Sequence, residues 1–309
     1  MTHTIMVAVD GEPDHRAALD WAAARAARDG ARLELVHVIE RAWSDRGPRP
    51  TRLLELASRT LLDAEEGIAV RRARDVLDER AAAAAASGAV RTIAPDIEVT
   101  ARTLFGHVGH ELAAASEDAD LLVLGTPSDA ERRRSFASSI AVRVAAAAAC
   151  SVVAVPHGWE DRGDGVVVGV DGERGSEPAV EFGADEAAAL GEPLTIVCAG
   201  YVANPLLAGM VPEVSLGDRR ERIAEDAAQR ARAEHPGLTV FAETVETSPA
   251  RGVVAEAEGA RLLVLGSHDR RGVQRVMLGS VGHDVLLNAL TPVAVVRNRA
   301  RGRVQPADR

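Results

Sequence analysis

Residues 5–26, IMVAVDGEPDHRAALDWAAARA, recur as residues 166–187, VVVGVDGERGSEPAVEFGADEA, with Asp10 matching Asp171 at an offset of 161. In each copy a short aliphatic run meets Val-Asp-Gly and then a segment of helical period, which reads as strand, tight turn and helix. The same offset pairs LELVHV at 33–38 with LTIVCA at 194–199. Further along, IEVTART from 97 matches LTVFAET from 238, and ADLLVLG ending at Gly125 matches ARLLVLG ending at Gly266, both at an offset of 141. The fall from 161 to 141 assigns 20 extra residues to the first copy, between its second and third strands. A repeat of this length decides the architecture before any motif does.

Each copy reads β-α-β-α-β-α-β-α-β. In the first, apolar runs rich in Val, Ile and Leu at 5–9, 33–39, 97–104, 120–125 and 152–155 alternate with helical segments. Strands buried on both faces need such runs, and crossover helices must join them, so each copy is an open five-stranded parallel sheet of α/β, Rossmann-like type. The helix after the first strand carries Ala17, Trp21, Ala24 and Ala27 on one stripe, leaves Asp20, Arg25 and Arg28 outside it, and stops at Gly30. The extra residues fall in a segment from about Pro50 to Ser87 that is helical by composition, with a break expected near Gly67 and a solvated face at Arg71 and Asp75. PHGWEDRGDG at 156–165 lacks periodicity and marks the boundary, giving domains at 1–157 and 165–299 and a tail at 300–309.

Composition narrows the function. At 309 residues two cores are expected, and 47% hydrophobic with 27% charged residues describe an ordinary globular chain. The net charge of −10 argues against nucleic acid or a membrane surface as partner. All 36 basic residues are Arg, which excludes a Walker A lysine and every Schiff-base mechanism. Cys150 and Cys198 lie in or beside apolar runs without metal or CxxC spacing and read as core residues in a reducing compartment. With neither a leader segment nor an apolar span of membrane length, the expected location is cytoplasmic.

Ligands of open parallel sheets bind beyond the carboxyl ends of the strands, where the crossover direction switches. Two features of each copy belong there. Val9-Asp10-Gly11 and Val170-Asp171-Gly172 end the first strands, where the carboxylate can accept from a base or ribose; Asp-Gly is equally a common turn. After the fourth strand come Gly125 with Ser138 and Ser139, and Leu265-Gly266 with His268, Gly279, Ser280 and Val281. Glycine admits close approach of a phosphate, and a serine opening the next helix adds a donor where free amides favour an anion. His268 could donate to a phosphate but has no evident nucleophile partner, and His107 and His110 lack further ligands at metal spacing.

These residues resemble the universal stress protein family in its tandem, two-domain form. The resemblance spans nearly the whole chain, including the closing strands CSVVAV and TPVAVV. It implies five-stranded domains whose terminal strands pair, within the chain or between chains, with a homodimer as the expected assembly. Many members carry Gly-x2-Gly-x9-Gly-Ser/Thr after strand four and bind ATP. The adenine-nucleotide site this implies takes in Val38 in the first domain and Ala199 in the second, besides the turns and loops above.

Both loops depart from that pattern. In the second, Asp269 stands where the family has glycine; in the first, Ser128 replaces that glycine, Ser138-Ser139 stand for Gly-Ser, and Pro127 removes a backbone donor. A carboxylate about 5 Å from a phosphate charge costs about 3 kcal/mol at an effective dielectric of ~20, roughly a hundredfold in affinity. Arg270, Arg271 and Arg275, or a bridging Mg2+, could offset Asp269. The expected function is therefore an ATP-binding stress-response module with the second domain the better site. The alternative is an interaction protein of the same fold with decayed sites, and a weak ATPase is the minor option.

Overall fold

A computed structural model of the chain describes residues 3–12, 15–40, 52–86, 97–127, 139–200, 213–267 and 278–298. The first repeat runs β1 (Thr4–Ala8), α1 (Ala17–Asp29), β2 (Arg32–Glu40), α2 (Arg52–Ala86), β3 (Val99–Gly106), α3 (Val108–Ala115), β4 (Leu121–Thr126), α4 (Ser139–Ala147) and β5 (Ser151–Pro156). The second runs β6 (Val166–Gly169), α5 (Glu177–Leu190), β7 (Leu194–Ala199), α6 (Glu213–Glu234), β8 (Val240–Val245), α7 (Pro249–Glu256), β9 (Leu262–Gly266), α8 (Ser280–Asn288) and β10 (Val293–Val296). Gly30 and Gly191 close α1 and α5 with φ of 64° and 73°, left-handed caps that a residue with a Cβ adopts only under strain. Contrary to the break expected near Gly67, α2 runs unbroken through it for 35 residues.

All ten strands form one sheet in the order β3-β2-β1-β4-β5-β10-β9-β6-β7-β8. Pairing is parallel throughout each repeat and antiparallel only where β5 meets β10, through Val293 with Ala154, Ala294 with Val153 and Val295 with Val152. The terminal strands thus pair inside one chain. Each has a neighbour on both sides, so the homodimer expected through these strands finds no free edge, and a second copy would have to use another surface. Val152, Val153, Ala154 and Val155 are all at most 2% exposed, and burying each valine is worth about 2 kcal/mol.

Helices cover both faces of the sheet, and each face carries one aliphatic layer that spans both repeats. One layer includes Leu19, Ala22, Ala26, Val180, Ala184 and Ala228; the other includes Leu112, Val144, Val253, Val285 and Leu286. Both cysteines are free and buried in these layers.

The buried face of α1 is Ala18, Leu19, Ala22, Ala23 and Ala26 together with Ala17 and Ala27, while Trp21 and Ala24 of the expected stripe are only half-buried. Arg25 and Arg28, expected outside, meet Glu186 of α5: Arg25 Nη1 lies 2.5 Å from Oε1 and Arg28 Nη2 lies 2.7 Å from Oε2. The Arg25 guanidinium also lies 4.8 Å from the Phe182 ring centre and 5.7 Å from that of Trp21. At the offset of 161, Arg25 corresponds to Glu186 and Trp21 to Phe182. The same repeat position carries opposite charges in the two copies, so two like repeats make an unlike, complementary contact.

Candidate functional site

The strand order turns at β1 and β4, and the crevice outside their carboxyl ends is where such a sheet receives ligands. In the first domain this crevice is a cavity of about 290 Å3. Asp10, Gly11, Val38 and Gly125 line it as the sequence led us to expect, and Leu112, Leu124 and Ile140 give it aliphatic walls. His15, Arg16, His37, Glu65 and His157 also line it, and none of these was picked out from the sequence.

The turn after β1 is built by local hydrogen bonds. Asp10 Oδ1 accepts from the Glu12 amide at 3.0 Å, and Oδ2 accepts from His15 Nδ1 at 2.7 Å. Gly11 has φ of 82°, and a Cβ there would lie 2.6 Å from Leu61 Cδ1, so the long helix α2 packs directly on the turn. The adjoining His37 donates from Nδ1 to the Val9 carbonyl at 3.0 Å.

His157 follows β5 and donates its backbone amide to the Thr126 carbonyl at 2.7 Å. Its ring stacks on His15 with centroids 3.7 Å apart and planes at 19°. A Cβ on Gly125 would lie 2.8 Å from His157 Nε2, so the glycine leaves the space this imidazole fills. From α2, Glu65 reaches the cavity at only 3% exposure, with Arg16 Nε 3.8 Å from Oε1. Burial pushes the Glu65 carboxyl above the usual carboxylate range; Arg16 opposes this, and Asp10 and Asp20 reinforce it.

The second domain repeats the turn with a different lining. Asp171 Oδ1 accepts from the Glu173 amide at 2.8 Å and from Ser176 Oγ at 2.7 Å, Ser176 being the counterpart of His15. Gly172 has φ of 79°, and Ile223 covers it as Leu61 covers Gly11. Counted from those covering residues, Ala227 holds the helix position of Glu65.

Backbone and aliphatic groups crowd the rest of the second crevice. Val170 and Leu265 are buried. A Cβ on Gly169 would lie 2.7 Å from Leu265 Cδ2, one on Gly252 would lie 2.7 Å from the Ala199 Cβ, and one on Gly266 would overlap the Gly175 carbonyl. At the far side Gly279 is extended, Ser280 opens α8 exposed to solvent, and Val281 follows half-buried.

Ser139 likewise opens α4 in the first domain. Ser138, His268, Asp269, Arg270, Arg271 and Arg275 lie outside the described residues. His107 precedes α3 and His110 lies exposed on it, and neither lines the cavity.

Some of the overlooked residues did carry a signal. His15 and Ser176 share a repeat position five residues after the aspartate, and both can hydrogen-bond back to it. His157 lay in the stretch taken as linker, and nothing local fixes which residue of a long helix faces the cavity, as Glu65 does.

Comparison with known proteins agrees with the two-repeat architecture. The model of the universal stress protein family matches residues 1–156 and again 164–297. The chain is 28% identical over 303 residues to the universal stress protein Rv2005c of Mycobacterium tuberculosis, covering 96% of this chain and 97% of that one. It is 30% identical over 305 residues to a universal stress protein of Mycolicibacterium smegmatis, covering 96% and 97%. Among solved structures, a universal stress protein from Archaeoglobus fulgidus superposes with a TM-score of 0.57 at 18% identity, over 95% of this chain and 96% of that one, which speaks to the fold alone.

Proposed function

The chain belongs to the universal stress protein family as a tandem member, and on that premise we propose that it is a cytoplasmic adenine-nucleotide-binding module of the stress response whose better-formed pocket is in the first domain. The observation that carries this reading is the cavity of about 290 Å3 at the switch point, where Asp10, Gly11, Val38 and Gly125 converge. Its volume lies at the lower end of the usual range for small-molecule pockets, about 300–1,000 Å3, and suits a nucleoside or monophosphate. Aliphatic walls accept a base, and the Asp10 carboxylate is a partner for amino or hydroxyl groups.

A triphosphate bound here would extend past the cavity toward the start of α4. For the second domain we propose ATP as the ligand, with Gly279 and Ser280 receiving phosphate at the start of α8 and Mg2+ offsetting Asp269. The crowding of Gly266 by Gly175 and of Ala199 by Gly252 favours weaker binding there. If only the fold and not the ligand has been retained, the protein acts through its surfaces instead.

The test has two parts. Freshly purified protein is heat-denatured and the released small molecules are identified; melting is then followed with millimolar adenosine, AMP or ATP with Mg2+. An adenine compound in the released fraction, or stabilisation of about 2.7 kcal/mol at a hundredfold excess over Kd, is the expected result. Neither release nor any shift with all three compounds would reject nucleotide binding.

A further inference from the structure

We propose that the stacked pair His15–His157 makes the first-domain cavity a proton-dependent selector: it takes an uncharged adenine nucleoside at any pH and an anionic, phosphate-bearing one only when the pair is protonated. This rests on the cavity binding adenine compounds, as proposed above.

The charge of the cavity motivates the inference. Among the described residues, three carboxylates, Asp10, Glu12 and Glu65, line it against one guanidinium, Arg16. With the imidazoles neutral, the lining repels a phosphate, and a low-dielectric wall strengthens that repulsion. The stacked imidazoles of His15 and His157 can add positive charge to the lining. His37 also lines the cavity, with Nδ1 donating to the Val9 carbonyl, whereas the stacked pair lies beside Gly125.

The pair answers to protons as a unit. Rings 3.7 Å apart cannot both carry a charge at modest cost, so one proton is shared between them. His15 already donates Nδ1–H to Asp10 2.7 Å away, so a proton gained there goes to Nε2; on His157 it goes to the nitrogen left bare, Nε2 lying beside Gly125. Either way the lining becomes less negative where the family's glycine loop begins, in the copy whose loop has lost its second glycine.

The second repeat supplies its own control. Ser176 and Asn298 occupy the positions of His15 and His157, and neither titrates in this range. His15→Ser and His157→Asn therefore exchange each histidine for a residue that the same fold already accommodates.

The probes are adenosine and the 5′-methyl phosphate ester of adenosine, whose single negative charge does not titrate between pH 5.5 and 8. Calorimetric titration of the full chain is expected to show adenosine affinity constant within about twofold, and ester affinity rising about tenfold from pH 8 to pH 6. In His15→Ser and His157→Asn, the ester's rise from pH 8 to pH 6, taken relative to the same variant's adenosine affinity at each pH, falls below about threefold. A rise that persists in both variants, or an ester affinity without pH dependence in a parent that binds adenosine, overturns the selector. Failure of the parent to bind either probe at any pH overturns the nucleotide reading itself, and the selector with it.

Discussion

Asp10 and Asp171 make the same turn: each accepts from the amide two residues on and from the side chain five residues on. Around that shared turn the two domains diverge. The first surrounds it with His15, His157, Glu65 and Val38, which leave an open cavity. The second has Ser176, Asn298, Ala227 and Ala199 at those positions, with Gly175 and Leu265 close against its glycines. What strand, turn and helix require is alike in both copies, whereas the side chains around the turn are not. Among the described residues, a cavity is seen at the switch point of the first domain, whose glycine loop departs further from the family pattern.

The contact between the repeats uses the same divergence and gives the largest expected effect. Glu186 is 3% exposed between Arg25 and Arg28, and Glu186→Ala leaves two guanidinium groups facing each other beside Asp29. A loss of about 3–5 kcal/mol is expected, read as a lower urea midpoint at constant slope. Exchanging the charges, Arg25→Glu with Glu186→Arg, should recover part of it. A single substitution with no effect would mean the complementary pair does not hold the repeats together.

The two loop glycines sharpen the comparison next. Gly266→Ala drives a Cβ into the Gly175 backbone, which cannot rotate away, and should cost about 3 kcal/mol. Gly125→Ala meets the movable end of His157 and should cost about 1 kcal/mol while displacing the imidazole. Equal losses in chemical denaturation would show that the second crevice is no more tightly packed than the first.

The smallest effect concerns Glu65, whose carboxyl burial pushes upward. A carboxylic acid raised in the folded state favours folding while protonated. Stability therefore falls as pH rises from the ordinary glutamate value through the raised one, and stays lower above it. Glu65→Gln should stabilise the protein at pH 8 and leave it unchanged near pH 4, measured as urea midpoints across that range. Destabilisation at pH 8 would mean the ion pair with Arg16 outweighs the burial.

The fold was legible because its signals are local: aliphatic runs of strand length, Asp-Gly turns, and a repeat that places them twice. That Asp10, Gly11 and Gly125 meet at one crevice was legible for the same reason, since strand ends converge there in this topology, whereas Val38 entered only through the family resemblance. The choice between pairing within the chain and between chains was not, because the same aliphatic strands serve either. Opposite charges at Arg25 and Glu186 were the available clue, and the offset of 161 exposes it. Glu65 and His157 stayed hidden because helix register over a sheet, and the course of the chain after β5, depend on tertiary packing. His268 and Asp269, on which the choice of the second domain turned, lie outside the described residues.

The assignment of ligand binding to the first domain is tested most directly by counting AMP on the intact chain by native mass spectrometry, with Val38→Trp filling the first cavity and Gly279→Asp placing a carboxylate at the start of α8. The expected result is that the tightest AMP is lost in Val38→Trp and kept in Gly279→Asp. AMP kept in Val38→Trp and lost in Gly279→Asp would contradict it.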